Sequence, residues 1–301
     1  MHPRNSKDVI ARPLLVLALA LAAPQPAAKI VTGGNPCGVT AAAGALWVAN
    51  DGSGTLARID PKKNRVTRRI KIGRGACEVA AGFGAVWVTN YRTGSLLRVD
   101  LRTYRVRAIR VGDTPFDVIA AAGSVWATTW RDAKLVEVDP AKLRVVRRIA
   151  VGAYPTSILF RNGMLWVGFG REATEVARVD VTSGQVLRVA VGVKAPSHFL
   201  ATANTIWVVN DGDAIVRLDP ATGTVLGTTH VGRTLAQPAS APDGTIWLPD
   251  KEIDTIFRLD PATGRVVDSF AGGNGAYNAI RAFGSMWVTS YAGADVWRFR
   301  V

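Results

Sequence analysis

Few side chains in this 301-residue chain could do chemistry; it has three histidines and two cysteines. His198 is the one candidate general base, because His2 lies in the N-terminal leader and His230 ends a polar strand-like run. A hydrogen-bonded lining residue is the plainer role for it. Glu78 and Asp117 could hold a cation or act as an acid and base pair, and Asp250 offers a further carboxylate for a metal. A solvated pair of carboxylates is the expected outcome for Glu78 and Asp117. There is no metal motif with two histidines, no Gly-rich phosphate loop and no nucleophile elbow, which argues against nucleophilic and structural-zinc chemistry. A binding constellation is clearer. Tyr91-Arg92, Trp130-Arg131 and Gly170-Arg171 set three arginines at one recurring position, two of them beside an aromatic ring. Such an arc suits a carboxylate, phosphate or sugar. Asp211, Asp213, Asp250 and Glu252 would form an acidic arc opposite.

What must position these groups is a repeat. Trp47, Trp87, Trp126, Trp166, Trp207, Trp247 and Trp287 stand 39 to 41 residues apart. Each unit holds four short β-rich runs separated by turn residues, for example Val79-Ala80-Ala81, Val86-Trp87-Val88, Leu96 to Asp100 and Val106 to Val111. No run has helical length or period, so each unit reads as four antiparallel strands. Three residues before each tryptophan stands Gly44, Gly84, Gly123, Gly163, Asn204, Gly244 or Gly284, residue types that reach positive φ in a tight hairpin. Asp60, Asp100, Asp139, Asp180, Asp219 and Asp260 open the turn after each third run and are read as structural. The fold expected is all-β, a seven-bladed β-propeller of four-stranded antiparallel blades. The last unit lacks a fourth run, so the segment Lys29 to Gly34 should supply it and close the ring.

Residues 1–28 stand outside the repeat. Arg4, Lys7 and Arg12 precede an apolar stretch from Pro13 to Ala23, the layout of a secretory signal peptide, leaving 29–301 as the propeller. The expectation is a secreted or extracytoplasmic monomer with no transmembrane segment. Cys37 and Cys77 occupy equivalent positions in adjacent units; a disulfide and two free thiols are both open. The net charge is +14, concentrated on the fourth strands of the first three units, including Arg68, Arg69, Arg107, Arg110, Arg147 and Arg148. That basic rim reads either as edge protection or as a surface for anionic envelope polymer or nucleic acid. Nine residues before the tryptophans, Gly38, Glu78, Asp117, Ser157, His198, Pro238 and Asn278 form a polar ring expected at the channel mouth, above an apolar ring.

At Trp87-Val88-Thr89-Asn90, and at Trp47-Val48-Ala49-Asn50 and Trp207-Val208-Val209-Asn210, residues 29 to 301 resemble the secreted YVTN-type propellers. The recurring Gly-x-x-Trp also resembles the streptogramin B (virginiamycin B) lyases. That resemblance implies magnesium, a channel-loop His and Glu residues at the end of the Trp-bearing strand, which together open a lactone ester. Three residues after the tryptophans this chain has Asn50, Asn90, Thr129, Phe169, Asn210, Asp250 and Ser290, with no Glu. Where the family's His would fall stand Cys37, Cys77, Phe116, Thr156, Ser197, Gln237 and Tyr277. The lyase machinery is therefore not carried over. The expectation is a non-catalytic propeller, without cofactor, binding a small molecule or protein on its channel face. The alternatives are a magnesium-dependent lyase or hydrolase using Glu78, Asp117, His198 and Asp250, and an envelope protein held by its basic rim.

Overall fold

The structure is a computed structural model that describes residues 24–301. These residues form seven four-stranded antiparallel sheets in ring order, with no helix long and apolar enough to cross a membrane. Blade 1 is typical: inner strand Pro36–Ala42, Trp-bearing strand Ala45–Asn50, third strand Thr55–Asp60 and outer strand Arg65–Lys71. Blades 2 to 7 repeat it around Trp87, Trp126, Trp166, Trp207, Trp247 and Trp287. The outer strand of blade 7 is Pro26–Val31, paired antiparallel with Asp295–Arg300, so the two ends of the described chain meet in one sheet. This strand begins three residues before the boundary read at residue 29. The rest of the leader read over residues 1–28 lies outside the described residues as far as residue 23.

The tryptophans explain the repeat. All seven are at most 1% exposed, and each packs against the following blade: Trp47 on Val86 and Val88, Trp126 on Leu165 and Val167, Trp287 on Leu46 and Val48. The core is thus seven apolar layers between blades, one per tryptophan, closing through Trp287 onto blade 1. Directly across from each tryptophan on the third strand lies Arg58, Arg98, Glu137, Arg178, Arg217, Arg258 or Arg298. In three blades that guanidinium lies over the ring at 5.0 to 5.9 Å. In blade 3 Arg147 takes this place, 5.4 Å over Trp126 and ion-paired to Glu137. These pairs add a cation–π contact to the buried area.

Turns follow the chemistry of their residues. The six glycines three positions before a tryptophan have φ between 65 and 86°, and five follow another residue of positive φ, the two-residue hairpin that matches strand twist. Asn204 departs from the expectation: its φ is not positive, and its turn closes through Thr202 N–H to Thr205 C=O at 2.9 Å. Each predicted turn aspartate accepts the N–H groups two and three residues on, as Asp60 does from Lys62 and Lys63 at 2.9 and 3.1 Å.

Inner strands carry the feature that builds the site. In six blades their register against the Trp-bearing strand shifts at positions such as Pro115/Val118 and Ala76/Val79. A bulge of this kind re-aims side chains. Residues nine or ten before a tryptophan in these six blades, among them Glu78, Asp117, Ser157, His198 and Asn278 and Cys37, Cys77, Phe116 and Tyr277, line the channel cavities.

Candidate functional site

Among the described residues, two cavities share the channel residue Glu78. The lower one, about 460 Å³, is lined by Glu78, Asp117, Ser157, His198, Pro238 and Asn278 together with the apolar Val39, Val79, Val118 and Ile158. The upper one, about 580 Å³, is lined by Tyr91, Phe116, Trp130, Tyr277 and Tyr291, with Asp51, Lys251, Cys37, Cys77 and Glu78. Glu78 borders both, whereas Asp117, Ser157, His198, Pro238 and Asn278 of the polar ring line the lower cavity alone. Five of the residues four after a tryptophan, Asp51, Tyr91, Trp130, Lys251 and Tyr291, line the upper one.

Cys37 and Cys77 form a disulfide with Cα atoms 5.1 Å apart, because inner strands of neighbouring blades converge at the ring centre. It closes a 40-residue separation, worth about 4 kcal/mol on the loop-entropy argument. Gly38 sits beside it. A Cβ there would lie 2.8 Å from the Glu78 carboxylate and 2.9 Å from the Glu78 Cα, so glycine at this ring position leaves Glu78 its space.

Glu78 and Asp117 are half-buried and both line the lower cavity. Partial loss of solvation raises both carboxyl pKa values above the ordinary carboxylate range. Asp117 repels the charge on Glu78 and raises it further. Asp117 Oδ1 accepts from Val118 N–H and Oδ2 from Ile158 N–H, each at 2.7 Å, which favours its charged form. Glu78 accepts from Tyr277 Oη at 3.3 Å, with Asn278 Nδ2 at 3.5 Å. Within the pair, Glu78 is therefore the residue that takes up a proton more readily. His198 is buried, and desolvation lowers its pKa to about 4, with the Lys251 charge adding to the effect. It is neutral at ordinary pH, and its ring meets the edge of Tyr277 at 6.4 Å between centroids.

The predicted binding arc divides. Tyr91 and Trp130 line the upper cavity; Arg92, Arg131 and Arg171 are exposed and line neither cavity. Arg171 lies 4.1 Å over Tyr154 instead. Trp130 is stacked on Phe116 at 5.4 Å and lies over Gly170. The acidic arc opposite is paired off: Asp211 with Lys251 at 2.8 Å, Asp213 with His230 at 3.2 Å and Glu252 with Arg233 at 3.6 Å. Asp250 is fully buried and accepts the N–H groups of Arg233, Thr234, Glu252 and Ile253. Its carboxylate ties a loop and is not available to a metal.

Sequence reasoning missed Asp51, Lys251 and Tyr291, although all three stand four residues after their tryptophans, as Tyr91 and Trp130 do. Reading that position across all seven units would have found them. Tyr91 and Tyr291 both donate to Asp51, at 3.1 to 3.3 Å, and Gly75 N–H donates to it at 2.8 Å. Phe116 and Tyr277, considered only as places of an absent His, and Cys37 and Cys77, considered as a candidate disulfide, line the cavity.

Nor do the residues fit magnesium. Among the described residues, the one group of three metal-ligating side chains that comes together is Cys37, Cys77 and Glu78. Two of these are disulfide sulfurs, whereas magnesium demands oxygen ligands. Asp117 commits both oxygens to backbone N–H groups.

Rim arginines are largely structural. Arg69 donates to Thr32 and Val31 of blade 7, Arg148 to Val111 of blade 2 and Arg147 to Val181 of blade 4. Arg110 donates to Thr93 and Arg68 lies 4.4 Å over Tyr104, which leaves Arg107 beside an exposed groove with Arg98 and Arg105.

The described residues form a seven-bladed propeller, and this fold is similar to that of the streptogramin B lyases. Virginiamycin B lyase from Staphylococcus aureus superposes with a TM-score of 0.79 at 13% identity, covering 91% of this chain and 98% of that one. A streptogramin B lyase structure gives 0.78 at 13%, covering 90% and 94%, and Kuenenia stuttgartiensis hydrazine synthase gives 0.79 at 14%, covering 89% and 96%. No protein-family model matches the sequence, and no curated protein does. At such identities the likeness is one of fold.

Proposed function

We propose that this propeller is a non-catalytic binding protein that takes a small organic molecule with a flat ring into its upper cavity. The observation that carries this reading is the cavity itself: about 580 Å³, walled by five aromatic side chains and edged by Asp51, Glu78 and Lys251. Binding pockets combine an apolar wall with a few polar groups in this way. Catalysis has less support: Glu78, Asp117 and His198 line one cavity, but Asp117 commits both oxygens to backbone N–H groups and Asp250 is committed to backbone elsewhere. The rim reading loses weight because most of its arginines bond carbonyls or cover rings. The disulfide supports an oxidising, extracytoplasmic compartment.

The test is a thermal-shift screen of the full chain against ring-bearing small molecules at low and high salt. A ligand at 100 times its Kd should add about 2.7 kcal/mol at both salt concentrations. Shifts only with polyanions, abolished by salt, would return the proposal to the rim.

A further inference from the structure

Glu78 occupies a position that the disulfide does not explain. Its Oε1 lies 3.8 Å from Cys37 Sγ and 3.7 Å from Cys77 Sγ. A disulfide sulfur has no hydrogen to donate, so a carboxylate gains little by facing two of them. With both cysteines reduced, the same three side chains acquire a purpose. In a tetrahedral zinc site, bonds of about 2.3 Å to sulfur and 2.0 Å to oxygen place neighbouring ligand atoms about 3.5 to 3.8 Å apart. The two sulfur-to-oxygen distances, 3.7 and 3.8 Å, lie close to the edge of about 3.5 Å that such a pair takes. Only the sulfur-to-sulfur edge must open, which rotation about the two Cα–Cβ bonds can provide. All three ligand atoms fall within 4.8 Å of one another, and they border the upper cavity, which leaves a fourth position facing it.

We propose that the reduced protein binds one thiophilic divalent cation, such as zinc, through Cys37 Sγ, Cys77 Sγ and the Glu78 carboxylate. Thiolate ligands select zinc over magnesium. A dithiol reductant delivers two electrons and two protons to the disulfide and becomes a disulfide itself. The two thiols then release their protons as they bind the ion. Reoxidation returns two electrons to an external disulfide, rejoins the sulfurs and frees the cation. The disulfide and the metal site are thus exclusive states of one inter-blade link, and the inference does not depend on any organic ligand.

The experiment is an anaerobic titration of the dithiol-reduced full chain with cobalt(II), a spectroscopic stand-in for zinc. The expected result is one equivalent bound, with thiolate-to-cobalt charge-transfer absorbance and the visible bands of tetrahedral cobalt, both displaced by zinc. The unreduced chain should show neither. Cys37→Ser and Cys77→Ser should each reduce the charge-transfer absorbance and the affinity, and Glu78→Gln should weaken binding at least about tenfold while keeping the charge-transfer absorbance. Absence of cobalt bands in the reduced wild type, or undiminished binding by Glu78→Gln or Cys37→Ser, would overturn the proposal. Circular dichroism of the reduced chain guards the interpretation: loss of the β spectrum overturns it too, because the site exists only on the folded inner strands.

Discussion

One arc of the ring, blades 7, 1, 2, 3 and 4, is tied across its inner strands differently from the remainder. Thr289 accepts from Asn278 N–H and donates to Cys37 C=O across the ring closure, at 3.0 and 2.9 Å. Thr89 links Glu78 to Phe116, and Thr128 links Asp117 to Thr156, in the same manner. Between blades 1 and 2, where Ala49 stands at that position, the disulfide provides the link. Around blade 6 the order fails. Its inner strand is only Ala239–Ser240, Pro249 replaces the threonine, and the loop is held by Asp250 and by a bridge from Gln237 to Asn278. The stapled arc supplies every upper-cavity residue named above except Lys251. Positions shared by all seven blades hold the fold, whereas positions that change from blade to blade carry the chemistry.

The largest expected effect lies in the irregular region. Asp250→Ala leaves four backbone N–H groups without their acceptor and should cost about 4 kcal/mol or more in urea unfolding. A loss below about 1 kcal/mol would show that the loop holds without it. In the stapled arc, replacing Cys37 and Cys77 together by alanine should cost about 4 kcal/mol in the same assay under non-reducing conditions.

Acid provides the next contrast. His198 has a folded-state pKa of about 4 against an ordinary 6.5, so the unfolded chain binds the extra proton between these values. Its contribution is complete above pH 6.5 and is lost as pH falls through 4, by roughly 3 kcal/mol. The raised carboxyls of Glu78 and Asp117 act in the opposite direction, so the quantity to measure is the difference between wild type and His198→Asn from pH 7 to 4. A constant difference would contradict the assignment. Smallest of all, Thr89→Val and Thr128→Val should each cost about 2 kcal/mol by stranding a buried N–H and C=O. Val209→Thr, at the same repeat position outside the arc, should gain nothing comparable.

Much of this architecture was legible in the residues. Tryptophan spacing, turn glycines and turn aspartates encode the blades because each acts locally, and the missing last run pointed to the closing strand. The site was less legible because it depends on the inner-strand bulge, which shifts the side-chain phase by a residue. Repeat position placed Glu78 and Asp117 in the polar ring and Arg92, Arg131 and Arg171 in a binding arc. The bulged inner strands bring Phe116 and Tyr277 to the upper cavity. Asp250 could not be recognised as a loop anchor from sequence, because the N–H groups it binds come from two separate loops.

The proposed binding site is the aromatic upper cavity and not the basic rim. Calorimetric titration of a ring-bearing ligand into wild type, Trp130→Ala and Arg107→Glu decides it. Affinity should be at least about tenfold weaker in Trp130→Ala, from loss of a stacking wall, and unchanged in Arg107→Glu. Full affinity in Trp130→Ala together with loss in Arg107→Glu would contradict it.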